Sequence, residues 1–385
     1  MSRKIAVITA TRAEYGLLRW TMREIIERGG AESLQLLVTG THLSAAHGMT
    51  LRDIEQDGFD IAATIDMKQA GDRPKDIVRA MARLSSELAG VLPKLSPDLL
   101  VILGDRYEML AAASSALMFG IPIAHIHGGE VTEGAVDESI RHAITKLSYW
   151  HFATAEPYAR RIMQLGENAA RVFIAGAPGI DNVTRLALLD REALSQSLEI
   201  ALDTPLLLLT YHPETLAATQ PLAQLEEVLA ALESQPDATL IITGANADSG
   251  GHAINERLRA YAAGRARTLF SPSLGSLRYL SAIRAADVVI GNSSSGMIEA
   301  PVLATPTVNI GDRQKGRLRA PGVIDCTCSR DAIAAALAQA INPAFKANLE
   351  PWQALGRPGQ VAPLIAEKLL SLEIPPSPMK AFVDF

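Results

Sequence analysis

Short apolar runs recur along the chain, separated by amphipathic stretches. From the N-terminal side they read "KIAVITA", "LQLLVTG", "FDIAATI", "DLLVILG", "IPIAHIH", "WHFATA" and "RVFIAGAP". Between them, apolar positions three and four residues apart predict helices over 14–28, before Phe59, from Pro74, after Arg106, from Glu138 and from Glu156. Runs of Ile, Val, Leu and Ala without polar alternation fit strands buried on both faces. Strands that alternate with helices at this spacing fit βαβ units of a parallel sheet.

Around 180–204 the chain turns polar and helical, and then the alternation restarts. The second series is "LLLLTYHP", "ATLIITGANAD", "TLF", "DVVIGNSSSG", "TPTVNIG" and "GVIDC", with helices from Gln220, Gly251 and Gly275 and one running into Leu303. Two successive Rossmann-like domains are therefore expected, at 1–182 and 183–385, with a cleft between them. The final "EIPPSPMKAFVDF" reads as a surface extension. In such sheets ligands bind beyond the carboxyl ends of the strands, so loops that follow strands are where chemistry is expected.

A chain of 385 residues is long for one ordinary core, which agrees with two domains. Hydrophobic residues make up 48% and aromatic ones only 5%, so the interior is aliphatic, as in helices packed on parallel sheets. The net charge of −6 without a basic stripe argues against a nucleic-acid partner and leaves room for an anionic small ligand held by local arginines. Cys326 and Cys328 stand too close for an easy bridge and lack companions for a zinc site. No signal-peptide pattern or bilayer-length apolar run is present, so a cytoplasmic protein without membrane contact is expected.

The strand-end loops are rich in functional groups: "TATRAEYG", "TGTHLSAAHG", "GDRYE", "YHPET", "GANADSGG", "GNSSSGMIE" and "IGDRQKGRLR". "GNSSSG", placed between a strand and a helix, offers backbone N–H groups, hydroxyls and a helix dipole to an anion. An ordinary N-cap is the plainer reading, but Arg313, Lys315, Arg317 and Arg319 follow the next strand and suit phosphate. Neither a P-loop nor a GxGxxG motif occurs, which points to a nucleotide-sugar. Asp105 and Arg106 directly follow an apolar strand, where a turn or helix cap is the competing role.

"AHIHGGEVTEGAVDESIRH" carries His125, His127 and His142 with Glu130, Glu133, Asp137, Glu138 and Arg141. Two histidines two apart on a strand face the same way and open a metal reading. The neighbours are carboxylates and an arginine rather than further strand-end ligands, so proton transfer is the better reading and no metal is expected. His125 also fits a satisfied core histidine. Asp137 and Glu138 suit a helix N-terminus.

In this order, "TATRAEYG", "GDRYE", "HIHGGE", "DESIRHAITK", "HPET", "GNSSSG" and "IGDRQKGR" resemble the UDP-N-acetylglucosamine 2-epimerases, specifically the bacterial hydrolysing branch of sialic-acid biosynthesis. The resemblance spans about 4–325 and implies the GT-B fold, an α/β architecture of two Rossmann-like domains with parallel sheets and an interdomain active-site cleft. A C-terminal helix usually returns to the first domain. It implies elimination of UDP to a 2-acetamidoglucal and hydration to N-acetylmannosamine, with no cofactor and no metal. A homodimer or homotetramer is also implied.

Carried over residue by residue, the resemblance assigns catalysis to Asp105, Asp137 and His212, and to His127 or Glu130 where other members hold a glutamate. Arg12 falls on the phosphates, Arg106, Asn292 and Arg313 on the UDP-sugar, Ser293 and Ser294 on the GNSS loop, Glu299 on the ribose, and Ser271 to Ser276 near uracil. His42, His47 and residues near Met67 fall on the sugar pocket. The rival readings are the hydrolysing epimerase of UDP-2,4-diacetamido-2,4,6-trideoxyglucose on the way to legionaminic acid, the non-hydrolysing epimerase, a GT-B glycosyltransferase and a silent nucleotide-sugar sensor.

Overall fold

The computed structural model describes residues 3–44, 48–71, 73–131, 136–213, 220–245 and 251–384. Residues up to Glu130, Val136–Asp181 and Ala354 onward form one compact unit, and Asn182–Gln353 belong to a second.

The first unit is built on β1 (Ile5–Thr9), β2 (Leu34–Thr39), β3 (Ile61–Ile65), β4 (Leu99–Leu103), β5 (Ile123–Ile126), β6 (Trp150–Ala153) and β7 (Val172–Ile174). They form one parallel sheet in the order β3-β2-β1-β4-β5-β6-β7. The second unit holds β8 (Leu206–Thr210), β9 (Thr239–Thr243), β10 (Thr268–Ser271), β11 (Val288–Gly291), β12 (Thr307–Ile310) and β13 (Val323–Cys326). Its parallel order is β10-β9-β8-β11-β12-β13. Each sheet reverses its direction of growth once, at β1/β4 and at β8/β11. The loops diverging from the carboxyl ends there leave a crevice.

Every residue of β1, β4, β5, β6, β8, β9, β11 and β12 is buried, because helices cover both faces. On the first sheet the helix Tyr107–Met118 presents Ala111, Ala112, Ala113 and Ala116 inward, small side chains that let it lie close to the strands. The helix Arg12–Gly29 starts at a capping box: Glu14 N–H donates to Thr11 Oγ1 at 3.3 Å, and Thr11 N–H donates to Glu14 Oε2 at 3.1 Å. Its Leu18, Met22 and Ile25 enter the core.

The helix Val361–Ser371 packs beside Arg12–Gly29 in the first unit. Buried Asp181 anchors its start by accepting from Gly359 N–H and Ala362 N–H, each at 2.6 Å. Two sequence expectations need correction. The stretch 180–204, expected to be polar and helical, is a tight turn and two short helices, Asn182–Arg185 and Arg191–Leu198, so helix fills only part of it. The final segment is not a simple surface extension, since Lys380 and Val383 make internal hydrogen bonds to the first unit.

Candidate functional site

In the first unit, Asp105 stands just after β4 and Arg141 in the helix Val136–Leu147. Arg141 Nη2 donates to Asp105 Oδ2, and its Nη1 donates to Glu130 Oε2 at 3.4 Å. Glu130 Oε1 accepts from Thr154 Oγ1 at 3.0 Å and lies 2.8 Å from His127 Nδ1. One guanidinium thus ties together two acids that the chain separates widely, and the second acid holds a histidine. Arg141, Glu130 and His127 are all buried. An ionised carboxylate only accepts, so His127 Nδ1 carries a proton toward Glu130. The opposite nitrogen, Nε2, is buried and has no hydrogen-bond partner among the described residues.

Local backbone geometry explains this placement. β5 ends at Ile126, and His127 adopts φ +67, a left-handed conformation uncommon outside glycine that collects at functional sites. Its N–H still reaches Phe152 O at 3.1 Å. Gly129 must be glycine, because it has φ +75 and a Cβ there would sit 2.2 Å from Tyr158 O. His127 lies past the strand end, so strand alternation no longer aligns it with His125, against the shared facing that the sequence suggests.

His125 is a core residue. Its Nε2–H donates to Gly104 O at 2.8 Å, Nδ1 lies 3.4 Å from Thr145 Oγ1, and burial lowers its pKa to about 3 despite the bond to Gly104. Glu138 and His142 pair with each other at 3.0 Å on the partly exposed face of their helix. Asp137 lies four residues before Arg141, on the same face of that helix. Among the described residues no group of three His, Cys, Asp or Glu side chains is placed to hold a metal ion.

Around β1, Arg106 directs its fork to buried Glu108 at 3.0 and 3.1 Å and lies 3.8 Å from Glu14 Oε1. Burial raises Glu14 to about 7 against the pull of Arg106, with Glu108 adding to the rise. Arg12 opens its helix with a half-exposed side chain 3.7 Å from Asp53. His42 departs from the expected sugar contact: it is fully buried, with its ring nitrogens 3.1 Å from Thr9 Oγ1 and 2.8 Å from Thr50 Oγ1. Burial lowers it to about 4, so it is a neutral brace beneath the loop after β1. Met67 is buried in the core. His47, Glu133, Glu214 and Thr215 lie outside the described residues.

In the second unit the loop after β11 makes the clamp. Gly291 has φ +130, and a Cβ there would lie 2.0 Å from Thr210 O, so glycine alone lets the loop close over β8. Asn292 Oδ1 accepts from His212 N–H at 2.7 Å, and its Nδ2 donates to His212 O at 2.8 Å. Asn292 O accepts from Arg313 Nη1 at 3.0 Å and from Gln314 Nε2 at 2.9 Å. One asparagine therefore joins the loops after β8, β11 and β12. Burial, with Arg313 nearby, lowers His212 to about 3 and keeps its imidazole neutral.

Ser293 closes a row of hydroxyls: Ser295 Oγ donates to it at 3.0 Å, Tyr279 OH contacts Ser295 Oγ, and Thr210 Oγ1 lies 3.2 Å from Tyr279 OH. The helix dipole expected here is missing. A tight turn, Ser294–Gly296, is followed only by the single-turn helix Glu299–Val302, which Glu299 opens. The chain then leaves through Ala304 at φ +52. Arg319 is also not available to a ligand as expected, since it pairs with Asp325 at 2.8 Å and donates to Gln314 O and Arg317 O. Ser271 ends edge strand β10 and donates to Ser273 O at 3.0 Å, and exposed Ser276 lies in the first turn of the helix Gly275–Ala285.

The structure thus gathers Asp105, His127 and Glu130 in one unit and His212, Asn292, Ser293 and Arg313 in the other. Sequence reading missed the connecting roles of Arg141, Thr154, Glu14, Gln314 and Tyr279. Two of them left a signal: Arg141 in its spacing of four from Asp137, and Glu14 in the Thr11-x-x-Glu14 pattern of a capping box.

The profile of the family described as UDP-N-acetylglucosamine 2-epimerase matches residues 24–369. The chain is 43% identical over 324 residues to the "GDP/UDP-N,N'-diacetylbacillosamine 2-epimerase (hydrolyzing)" of Campylobacter jejuni, covering 84% of each. It is 35% identical over 348 residues to the "UDP-N,N'-diacetylbacillosamine 2-epimerase (hydrolyzing)" of Legionella pneumophila, covering 89% of this chain and 90% of that one. The crystal structure of UDP-GlcNAc 2-epimerase from Neisseria meningitidis bound to UDP-GlcNAc superposes with TM-score 0.80 at 16% identity, over 96% of this chain and 100% of that one, a likeness of GT-B-type α/β architecture. The family match includes strands of both parallel sheets and the strand-end loops that carry Asp105, His127 and Glu130 in one unit and His212, Asn292 and Ser293 in the other, and the chain belongs to the UDP-N-acetylglucosamine 2-epimerase family.

Proposed function

We propose that the chain is a hydrolysing 2-epimerase of a UDP-linked 2-acetamido sugar. The C2–H and C1–O bonds break, UDP leaves, and a C1–C2 double bond forms. Water then adds its hydroxyl to C1 and a proton to the opposite face of C2, releasing the 2-epimeric free sugar. C2–H has no adjacent carbonyl, so it becomes acidic only as C1 gains positive charge, and the reaction needs a fixed base beside a carboxylate.

The observation that carries this reading is the chain His127–Glu130–Arg141–Asp105, which leaves one buried imidazole nitrogen without a partner among the described residues. In this reading His127 Nε2 takes the C2 proton, Glu130 orients the ring, Asp105 faces the oxocarbenium-like C1, and Asp137 assists the return of a proton. The neutral His212, Asn292, Ser293, Ser294 and Arg313 hold the diphosphate, with Arg12 and the outer edge of Arg106 assisting. Glu299 takes the ribose and the backbone from Ser271 to Ser276 the uracil.

The two relatives at 43% and 35% identity are named for GDP/UDP- and UDP-N,N'-diacetylbacillosamine, the 2,4-diacetamido-2,4,6-trideoxy sugar, which supports that sugar as one substrate to test. UDP-N-acetylglucosamine is the second reading, suggested by the family profile. Proton NMR of the protein with each sugar in deuterium oxide tests both. Free 2-epimer deuterated at C2, with UDP, is the expected product. A product without deuterium removes the exchanging base, and a UDP-linked epimer means the non-hydrolysing reaction. No step uses a metal ion, so turnover should be unchanged in EDTA.

A further inference from the structure

We infer that Lys380 is a positioning residue for this reaction, acting through the helix Val136–Leu147 that carries Arg141 and Asp137. The inference rests on the epimerase reading above. Lys380 Nζ donates to Ser148 O, to Thr145 O at 3.3 Å and to Glu167 Oε2. Thr145 and Ser148 lie at the C-terminal end of the helix, where the dipole favours a cation and Thr145 O accepts from Ser148 N–H at 3.2 Å beside the lysine. A lysine from a distant segment thus caps this helix.

The cap is buried and braced. Its side chain is 11% exposed, and Glu167, at 1%, also binds Lys146 Nζ at 2.6 Å and His151 Nε2 at 3.1 Å. Val383 N–H donates to Gly166 O at 3.0 Å, and Lys146 Nζ lies 4.8 Å from the centre of the Phe382 ring. From the capped end the connection to the acids is short. Thr145 Oγ1 donates to Arg141 O at 3.0 Å, and the guanidinium of Arg141 holds Asp105 and Glu130. A slip of the helix along its axis therefore moves the guanidinium that holds both carboxylates.

Lys146 supplies the control, because it serves the same Glu167 but donates its other bond to Leu165 O at 2.9 Å rather than to the helix end. Lys380→Met is expected to lower kcat about 10- to 100-fold, the cost of roughly an ångström of misplacement. KM should stay nearly constant, and Lys380→Arg should recover most of kcat. Lys146→Met should lower the melting temperature with little change in kcat. Hydrogen exchange over 136–147 in the unliganded protein should speed up in Lys380→Met and not in Lys146→Met. If Lys380→Met does not fold, Lys380→Gln gives the same comparison.

An active wild type with unchanged kcat and unchanged exchange in the Lys380 variant overturns the inference. Equal kcat losses in both lysine variants also overturn it, by making the cluster merely structural. A wild type inactive on both sugars sinks the epimerase reading instead, and the exchange experiment still decides whether Lys380 fixes the helix.

Discussion

The two units share one strand order but furnish their crevices differently. At β1/β4 the groups are ionic: Arg141 between Asp105 and Glu130, and Arg106 between Glu108 and Glu14. At β8/β11 they are mostly neutral: the Asn292 clamp, a row of hydroxyls, and a histidine that burial keeps uncharged beside Arg313. Moving a proton calls for groups that change charge, held by other charges. Holding a diphosphate calls for fixed donors that do not titrate near neutrality. On this view the first unit sets kcat and the second sets KM.

The hardest test of that division is Arg141→Met. It removes the guanidinium from buried Glu130 and from partly exposed Asp105 and should lower kcat about 10³-fold or more, with a stability loss of about 3 kcal/mol, read by steady-state kinetics and chemical unfolding. The matching change in the second unit, Arg313→Met, should act chiefly on KM. If it lowers kcat as far as Arg141→Met does, the division fails.

Next in size, His127→Ala and Glu130→Gln should each lower kcat about 10²- to 10⁴-fold, and the double variant should be little worse than the worse single, because the two act as one unit. Additive losses would separate them. Asn292→Ala should raise KM about tenfold or more as three loops loosen, and Ser293→Ala should do so less, both read by UDP product inhibition.

The smallest effects concern pH and stability, and there the buried histidines and Glu14 act with opposite sign. His212, at about 3, binds a proton more readily unfolded than folded, so its contribution is present above pH 6.5 and is lost as pH falls toward 3. His42 and His125 behave alike in the first unit. Glu14, at about 7, runs the other way: its contribution is present below pH 4.5 and is lost as pH rises through 7. Glu14→Gln should therefore raise the melting temperature by a few degrees at pH 8, with the gain gone by pH 5. A gain equal at both pH values would mean that Glu14 does not titrate in that window.

Much of this was legible in the chain. Unbroken runs such as Leu99 to Leu103 and Leu206 to Thr210 could only be covered strands, and Asp105, His127, Asn292 and Arg313 follow such runs directly. The failures have physical causes. A helix was expected from "GNSSSG" into Leu303, but Ser293 caps a tight turn over Ser294–Gly296, and only Glu299–Val302 is left as α-helix. His42 has the composition of a ligand group, yet two threonines on other segments take both its nitrogens. Lys380 lies in a proline-rich stretch with no periodicity, and nothing local marks its partner Glu167.

By itself the sequence determined two parallel α/β sheets and the set of loops that stand at their carboxyl ends, because period and apolar run length are properties of neighbouring residues. Only the tertiary structure decided that Arg141 would join Asp105 to Glu130, that Asn292 would bind three loops, and that Lys380 would cap a helix more than two hundred residues earlier. Such pairings follow from strand order and from which faces meet, and no short stretch of chain encodes either.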